Sequence, residues 1–458
     1  MTSTAGVDRS LSASRPRVFW LDSDRRPSPH PPLSSDASTD LAVVGGGYSG
    51  LWTALLAKER DPHRDVLLLE GERIGWAATG RNGGFCSASL THGAENGRRR
   101  FPDEFETLER LGRQNLDEIE TSIRGYGIDC DYRRSGSISV ATEPHHVGWL
   151  HDEPGEFLDQ SAVRAEVNSP TYLAGSWERD TALVNPAALA WGLAEAAMNA
   201  GVRIAEHTPV LAVRRAGAGV HLQTPGGVVR AATVALGTNA FPSPVRRLRL
   251  FTVPVYDYVL VTEPLSAEQL AAIRWSNGAG LNDVTNQFHY YRMTADHRIL
   301  WGGYDAIYHF GRKVRPVYDQ RPDTFRTLAH HFFHTFPQLE GIRFSHRWGG
   351  AIDTCTRFFA FYGTALGGRV SYALGYTGLG VGASRFAANV MLDLLSGEAT
   401  ERTRLRMVRE KPLPFPPEPL AFAGIQATRW SLARADRNAG RRNLWLRALD
   451  SLGLGFDS

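Results

Sequence analysis

At 458 residues the chain exceeds what a single ordinary hydrophobic core supports, so two intertwined domains plus a tail are expected. Apolar residues at 42% and charged residues at 22% exclude a disordered or fibrous chain. A formal charge of +3, from 51 basic and 48 acidic residues, gives no global sign of nucleic-acid binding. Arginine carries nearly all of the positive charge, since only Lys58, Lys313 and Lys411 are lysines. Cys86, Cys130 and Cys355 are widely spaced and lack metal-ligand spacing, which argues against a disulfide framework or zinc site and for a reducing cytoplasm.

Residues 1–37, rich in Ser, Pro and Arg, are expected to form an extended arm whose apolar piece, 18–21, docks on the body. Arginines and prolines interrupt the N-terminus, and no later run reaches about 18 apolar residues, so neither a secretory leader nor a membrane span is expected. Residues 41–44, 49–60 and 65–70 then read as strand, helix and strand, with Gly45, Gly47 and Gly50 spelling GxGxxG at the first turn. There Gly45 permits the tight turn, Gly47 lets a pyrophosphate approach the backbone, and Gly50 allows close helix packing. Tyr48 and Ser49 open the helix, whose free N–H groups suit phosphate. Glu70 lies 20 residues beyond Gly50, where a carboxylate accepts hydrogen bonds from a ribose diol.

The cofactor choice rests on two further stretches. Residues 75–84, including Gly80, Arg81, Asn82, Gly83 and Gly84, are small enough for a flat ring and a pyrophosphate to lie against backbone. Gly375, Gly378, Leu379, Gly380 and Gly382 precede a helix over 383–395, so a second helix N-terminus is bare of side chains and suits the N1/O2 edge of a flavin. FAD is therefore expected in preference to a nicotinamide cofactor. Between these stretches, Asn185, Pro186 and Gly201 punctuate a helix over 186–200, followed by a strand over 202–205. Residues 252–262 and 287–304 read as strands of a separate antiparallel sheet. After the prolines of 412–419, six arginines from Arg429 to Arg447 alternate with apolar residues, predicting one or two basic amphipathic helices packed on the body.

With its GGGYSG turn, the GRNGG loop at 80–84, Val210, the segment 235–238, Trp348-Gly349-Gly350 and the glycines of 375–382, the chain resembles the superfamily of D-amino acid, glycine and sarcosine oxidases. It looks most like the γ-glutamylputrescine oxidase branch, over residues 20–397. The resemblance implies an α/β fold: a discontinuous Rossmann-like FAD-binding domain with a parallel sheet (38–100, 151–240 and 346–400), and an antiparallel-sheet substrate domain (101–150 and 241–345) roofing the flavin. Residues 401–458 form the basic helical tail. It further implies that Val210 contacts the adenine and that Gly237 lies near the FAD phosphates.

Relatives that attach flavin covalently carry a cysteine close to the Trp348 position or a histidine within the stretch matching 71–90; neither is present, and Cys355 is displaced, so non-covalent FAD is expected. The implied chemistry is loss of hydride from the carbon of a small amine to flavin N5, giving an imine and, with O2, hydrogen peroxide. Tyr256 and Tyr258, two apart on one strand, are candidates for an aromatic box. Phe288, Tyr290 and Arg292 share one strand face, opposite His289 and Tyr291, and Arg292 matches the glycine oxidase arginine that grips a carboxylate. His289 and Trp348 complete the candidate catalytic set, Trp348 as a wall over the flavin. Sarcosine oxidases use a lysine in the stretch matching 298–303, and none stands here. That absence keeps open a dehydrogenase passing electrons to a quinone or carrier protein. A flavin-binding assembly protein without turnover is the reading from another class.

Overall fold

The computed structural model describes residues 3–151 and 154–454; the first two residues of the expected arm and the last four of the tail lie outside them. The N-terminal sheet element is the Ala37–Val44 strand, lying parallel between Gly227–Leu236 on one side and Val66–Leu69 on the other. Arg203–Ala205 extends the sheet beyond Val66–Leu69, and Val370–Leu374 extends it beyond Gly227–Leu236, both in parallel. Phe361–Ala365 closes that edge antiparallel, and the hairpin Ala212–Ala216 with Gly219–Thr224 is added to Gly227–Leu236.

Four-residue Val66–Leu69 is buried at every position, because both faces of the sheet are covered: Val66 and Leu68 by helices, Leu67 and Leu69 by a second core that includes Val220 and Leu222 of the hairpin. The helices Tyr48–Arg60, Pro186–Asn199 and Gly380–Ser396 pack on one face, with Leu51, Leu55, Leu189, Leu193, Val390 and Met391 in their shared core. Punctuation follows the expected chemistry. Asn185 Oδ1 accepts the Ala188 N–H at 3.1 Å ahead of Pro186, and Gly397 ends the last helix at φ +75°.

The second sheet runs Ile307–Tyr308, Val253–Thr262, Ile299–Gly303, His289–Met293, Gly280–Asp283, Ser137–Ala141, Ala174–Glu178, Glu156–Leu158, with Phe344–Thr354 on the free side of Val253–Thr262. It is antiparallel except where Gly280–Asp283 meets Ser137–Ala141 in parallel. The helix Pro322–Thr335 covers its far face, burying Phe325, Leu328 and Phe332.

Sheet membership moves two expected boundaries. Ala174–Glu178 and Glu156–Leu158 pair within the second sheet, as does Phe344–Thr354, although 151–240 and 346–400 were assigned to the FAD side. The N-terminal arm also departs from an extended chain. Thr4–Leu11 is a helix that buries Val7 and Leu11 against Pro322–Thr335, and Phe19–Leu21 is a 3-10 turn with Trp20 buried.

Candidate active site

The strand ending at Val44 sits level with Leu69 on one side and Leu236 on the other, so three strand ends deliver their turns to one place. Gly45 turns at φ +107°, and a Cβ there would lie 2.5 Å from the Gly237 carbonyl oxygen. Gly47 caps the helix without a side chain, leaving the first helical N–H groups facing open space apart from Tyr48 N–H, which donates to Thr79 Oγ1 at 3.2 Å. At the end of the next strand the Glu70 carboxylate accepts N–H groups from Gly46 at 2.5 Å, Glu72 at 2.8 Å and the Trp76 indole at 3.0 Å. Burial raises its pKa, and those three donors oppose the rise.

The second glycine turn is held from the other sheet. Asp353, on Phe344–Thr354, accepts the Gly375 N–H at 2.6 Å and the Asn239 side-chain amide at 3.2 Å. Burial pushes its carboxyl up to about 7 despite those donors. Gly378 follows at φ +97° with nothing within 4 Å of a Cβ, and Gly380–Ser396 starts without a side-chain cap.

Both turns line one cavity of about 1220 Å³. Gly45, Gly47, Tyr48, Ser49, Glu70, Val210 and Gly237 line it at the first turn, Arg81, Asn82 and Gly83 on the loop that follows, and Gly378, Leu379 and Gly380 at the second turn. Gly50, Gly80, Gly84, Gly375 and Gly382 stand behind the wall as spacers. A Cβ at Gly84 would lie 2.2 Å from the Val184 oxygen, and one at Gly382 equally close to the Ser87 oxygen. The wall also carries Thr238 Oγ1 and Asn239 Oδ1, buried polar atoms without a hydrogen-bond partner in the chain. Two bare helix N-termini, orphaned polar atoms and Glu70 together fit a long ligand with a pyrophosphate, a ribose and a flat ring, which is FAD.

The roof places the candidate catalytic residues differently. On Val253–Thr262 the positions facing the cavity are Val253, Val255, Asp257 and Val259. Tyr256 and Tyr258 take the opposite pleat, against Pro322–Thr335 and its approach: Tyr258 OH donates to the Tyr318 oxygen at 2.8 Å, while Tyr256, packed edge-on against His309 and Tyr318, still contributes to the cavity lining. His289 also faces away, joined to Asp283 at 2.7 Å and His331 at 2.9 Å between Trp301 and Tyr304. Phe288, Tyr290 and Arg292 share the near face as the alternation requires, but the cavity ends at Tyr290. Arg292 lies past it, 3% exposed, donating to the Val184 oxygen at 2.7 Å beneath Gly84; burial lowers it to about 10.

Trp348 is a corrected position too. It does not line the cavity; its indole donates to the Arg81 oxygen at 2.9 Å, and Trp20 of the arm donates likewise to the Asn82 oxygen at 2.9 Å. Two tryptophans thus fasten consecutive carbonyls of the 80–84 loop from behind. Arg81 itself is held by Asp319 at 2.5 Å and the Gly349 oxygen at 2.9 Å.

Two features escaped the sequence reading. One is the pair Asp257 and Tyr290, which meet across the intervening strand Ile299–Gly303 of the roof, both lining the cavity, with Tyr290 OH donating to Asp257 Oδ2 at 2.5 Å. A lone carboxylate amid Val253, Val255 and Val259 is its available signal. The other is the tail: Leu420–Asp436 and Leu444–Ser451 lie across the cavity, lining it with Leu420, Ile425, Arg429, Leu432, Trp445 and Leu449. Among the described residues no helix is long and apolar enough to cross a membrane.

The family described as FAD dependent oxidoreductase matches residues 40–394. The chain is 30% identical over 403 residues to a gamma-glutamylputrescine oxidoreductase of Escherichia coli, covering 83% of this chain and 89% of that protein. It is 26% identical over 399 residues to a probable oxidoreductase of Haemophilus influenzae, covering 83% and 88%. Glycine oxidase from Geobacillus kaustophilus superposes with a TM-score of 0.66 at 20% identity, over 80% of this chain and 96% of that one.

Proposed function

The chain belongs to the FAD-dependent oxidoreductase family, and from that membership we propose that it oxidises a small primary or secondary amine, a polyamine derivative or an amino acid. The observation carrying the amine reading is the charge of the cavity. Six acidic side chains line it, Glu70, Glu72, Glu178, Asp257, Asp305 and Asp353, against two arginines, Arg81 and Arg429. Arg81 pairs with Asp319 and Arg429 lies 3.7 Å from Asp305, so neither is left to balance Asp257. A low-dielectric space with that balance favours a cationic ligand. The name of the Escherichia coli relative, whose substrate bears an amine, supports the same class.

Bound FAD supplies a two-electron acceptor for the hydride leaving the carbon attached to nitrogen, and the resulting imine is hydrolysed by water. The chain's own residues bind and exclude. Glu70 and the helix beginning at Tyr48 would hold the nucleotide end, with Val210 at the adenine, while Gly380, at the start of its helix, would offer its N–H to the ring. Phe288 and Tyr290 make an aromatic wall, and the tail helices keep water out, so that positioning in a dry site does most of the catalysis. FAD is held without a covalent bond in this proposal, since none of the three cysteines lines the cavity. Three free, buried thiols support a cytoplasmic location.

Anaerobic mixing of the FAD-loaded protein with a panel of amines is expected to bleach the flavin band; a flavin that dithionite reduces and no amine does would sink the reading and leave a non-catalytic flavin protein. The electron acceptor is a second question. No lysine lines the cavity, and Lys58 Nζ is engaged by the Pro62 and Arg64 carbonyls, which favours a quinone or carrier protein over O2. Fast turnover with a dye under argon, beside slow reoxidation in air, is the expected pattern for that case.

A further inference from the structure

We propose that Asp257, oriented by Tyr290, is the anchor for the substrate's ammonium group and accepts the proton that must leave nitrogen before oxidation. This rests on the amine reading above and names the residue that gives it effect. Asp257 occupies the cavity-facing pleat of Val253–Thr262, flanked by Val255 and Val259 on the same face, and its strand partner at that level is Gly350, which adds no side chain. Oδ1 accepts the Tyr258 N–H at 2.7 Å and Oδ2 the Tyr290 hydroxyl at 2.5 Å. Tyr290 is fixed in turn: its ring lies between Gly83 and Gly302, where added Cβ atoms would stand 2.7 and 2.6 Å from ring carbons.

The carboxylate therefore has donors but no cation. Among the described residues no arginine or lysine pairs with it; Arg81, the nearest lining cation across Gly350, is committed to Asp319. From the strand beyond Ile299–Gly303 Tyr290 faces it, and His289, on the reverse pleat, is committed to Asp283 and His331. An anionic group walled by valines and aromatics and lacking a counter-ion is a site built for a ligand that brings the positive charge. Burial raises Asp257 to about 6, against hydrogen bonds that lower it, so the acid form is accessible near neutrality. In the step proposed, one N–H bond of the ammonium breaks, an O–H bond forms on the Asp257 carboxyl, and the electron pair stays on nitrogen. Tyr290 keeps its hydrogen bond throughout, which holds the carboxyl in place.

The test uses tert-butylammonium chloride, whose carbon on nitrogen bears no hydrogen and cannot be oxidised. Titrated into the FAD-loaded protein, it is expected to perturb the flavin spectrum saturably. Asp257→Asn is expected to bind it about tenfold more weakly or worse while retaining FAD, and Asp257→Glu to recover part of the affinity. With an oxidisable amine, Asp257→Asn is also expected to lose the acidic limb near pH 6 in flavin reduction. Equal binding by wild type and Asp257→Asn, or binding by neither, overturns the proposal. Failure of every amine to reduce wild type, with tert-butylammonium still bound through Asp257, would instead overturn the oxidation and leave the anchor.

Discussion

A Cβ at position 50 would stand 1.8 Å from the Gly45 carbonyl oxygen, an approach that no side-chain rotation relieves because the obstacle is backbone. Gly50→Ala must therefore move the turn that offers N–H groups to the pyrophosphate, at a cost of ~1–3 kcal/mol. The expected outcome is at least about tenfold weaker FAD binding by flavin fluorescence titration, whereas Gly148→Ala, with nothing near its Cβ, binds as wild type. Unchanged affinity in Gly50→Ala would mean that this turn does not hold the cofactor. Glycines of this kind are readable from sequence because their reason is local: turn, helix start and spacing lie within a few residues. Arg292, His289, Tyr258 and Trp348 are not. Alternation says which residues share a face, and it did so for Phe288, Tyr290 and Arg292, but nothing local says which face meets the cavity or that the cavity stops at Tyr290. Arg292 buries its guanidinium against the carbonyl of Val184, 108 residues away along the chain.

The strand Phe344–Thr354 does at the scale of an element what no single residue of it announces. It belongs to the roof sheet, yet Asp353 at its end reaches the turns after two strands of the other sheet, through Asn239 and Gly375. The strand is thus a strut between sheets, and its strain is electrostatic. In the unfolded chain this carboxyl titrates near the ordinary value, and in the folded protein at about 7. Because the folded value is raised, the neutral form stabilises the fold below pH ~4, and that contribution is lost progressively as pH rises through 7. Thermal unfolding of FAD-saturated wild type and Asp353→Asn should therefore diverge with pH. The difference is expected to shift in favour of Asp353→Asn by up to about 3 kcal/mol between pH 5 and pH 8. A pH-independent difference would show that Asp353 is ionised in both states. Elements with helical punctuation, such as Pro186–Asn199, were legible in advance; a strand that serves two sheets was assigned to the wrong one because its hydrogen-bond partners are more than 80 residues away.

At the scale of the whole molecule, the chain after the family match closes the site that the matched region builds. The family region ends at 394, and the cavity wall is completed by residues from Leu413 onward. Phe415 N–H bonds the Leu250 oxygen, and the Asp436 carboxylate accepts N–H groups from Asn286 and Gln287 on the roof, at 3.0 and 3.1 Å. The sequence showed basic amphipathic helices packed on the body, but the contacts made by their apolar side, Leu420, Ile425 and Leu432, depend on the fold of everything before them. Removing residues 411–458 is expected to leave both sheets intact and to open the cavity to water. Quenching of bound flavin by iodide should rise, and FAD should bind about tenfold more weakly, a loss of ~1.4 kcal/mol. Asp436→Ala, which cuts one tether and leaves the helices in place, should move both readings in the same direction by less. If truncation leaves quenching and affinity at the wild-type level, the tail is a passenger on the surface; if only affinity falls, it acts on the nucleotide end and not as a cover over the reacting ring.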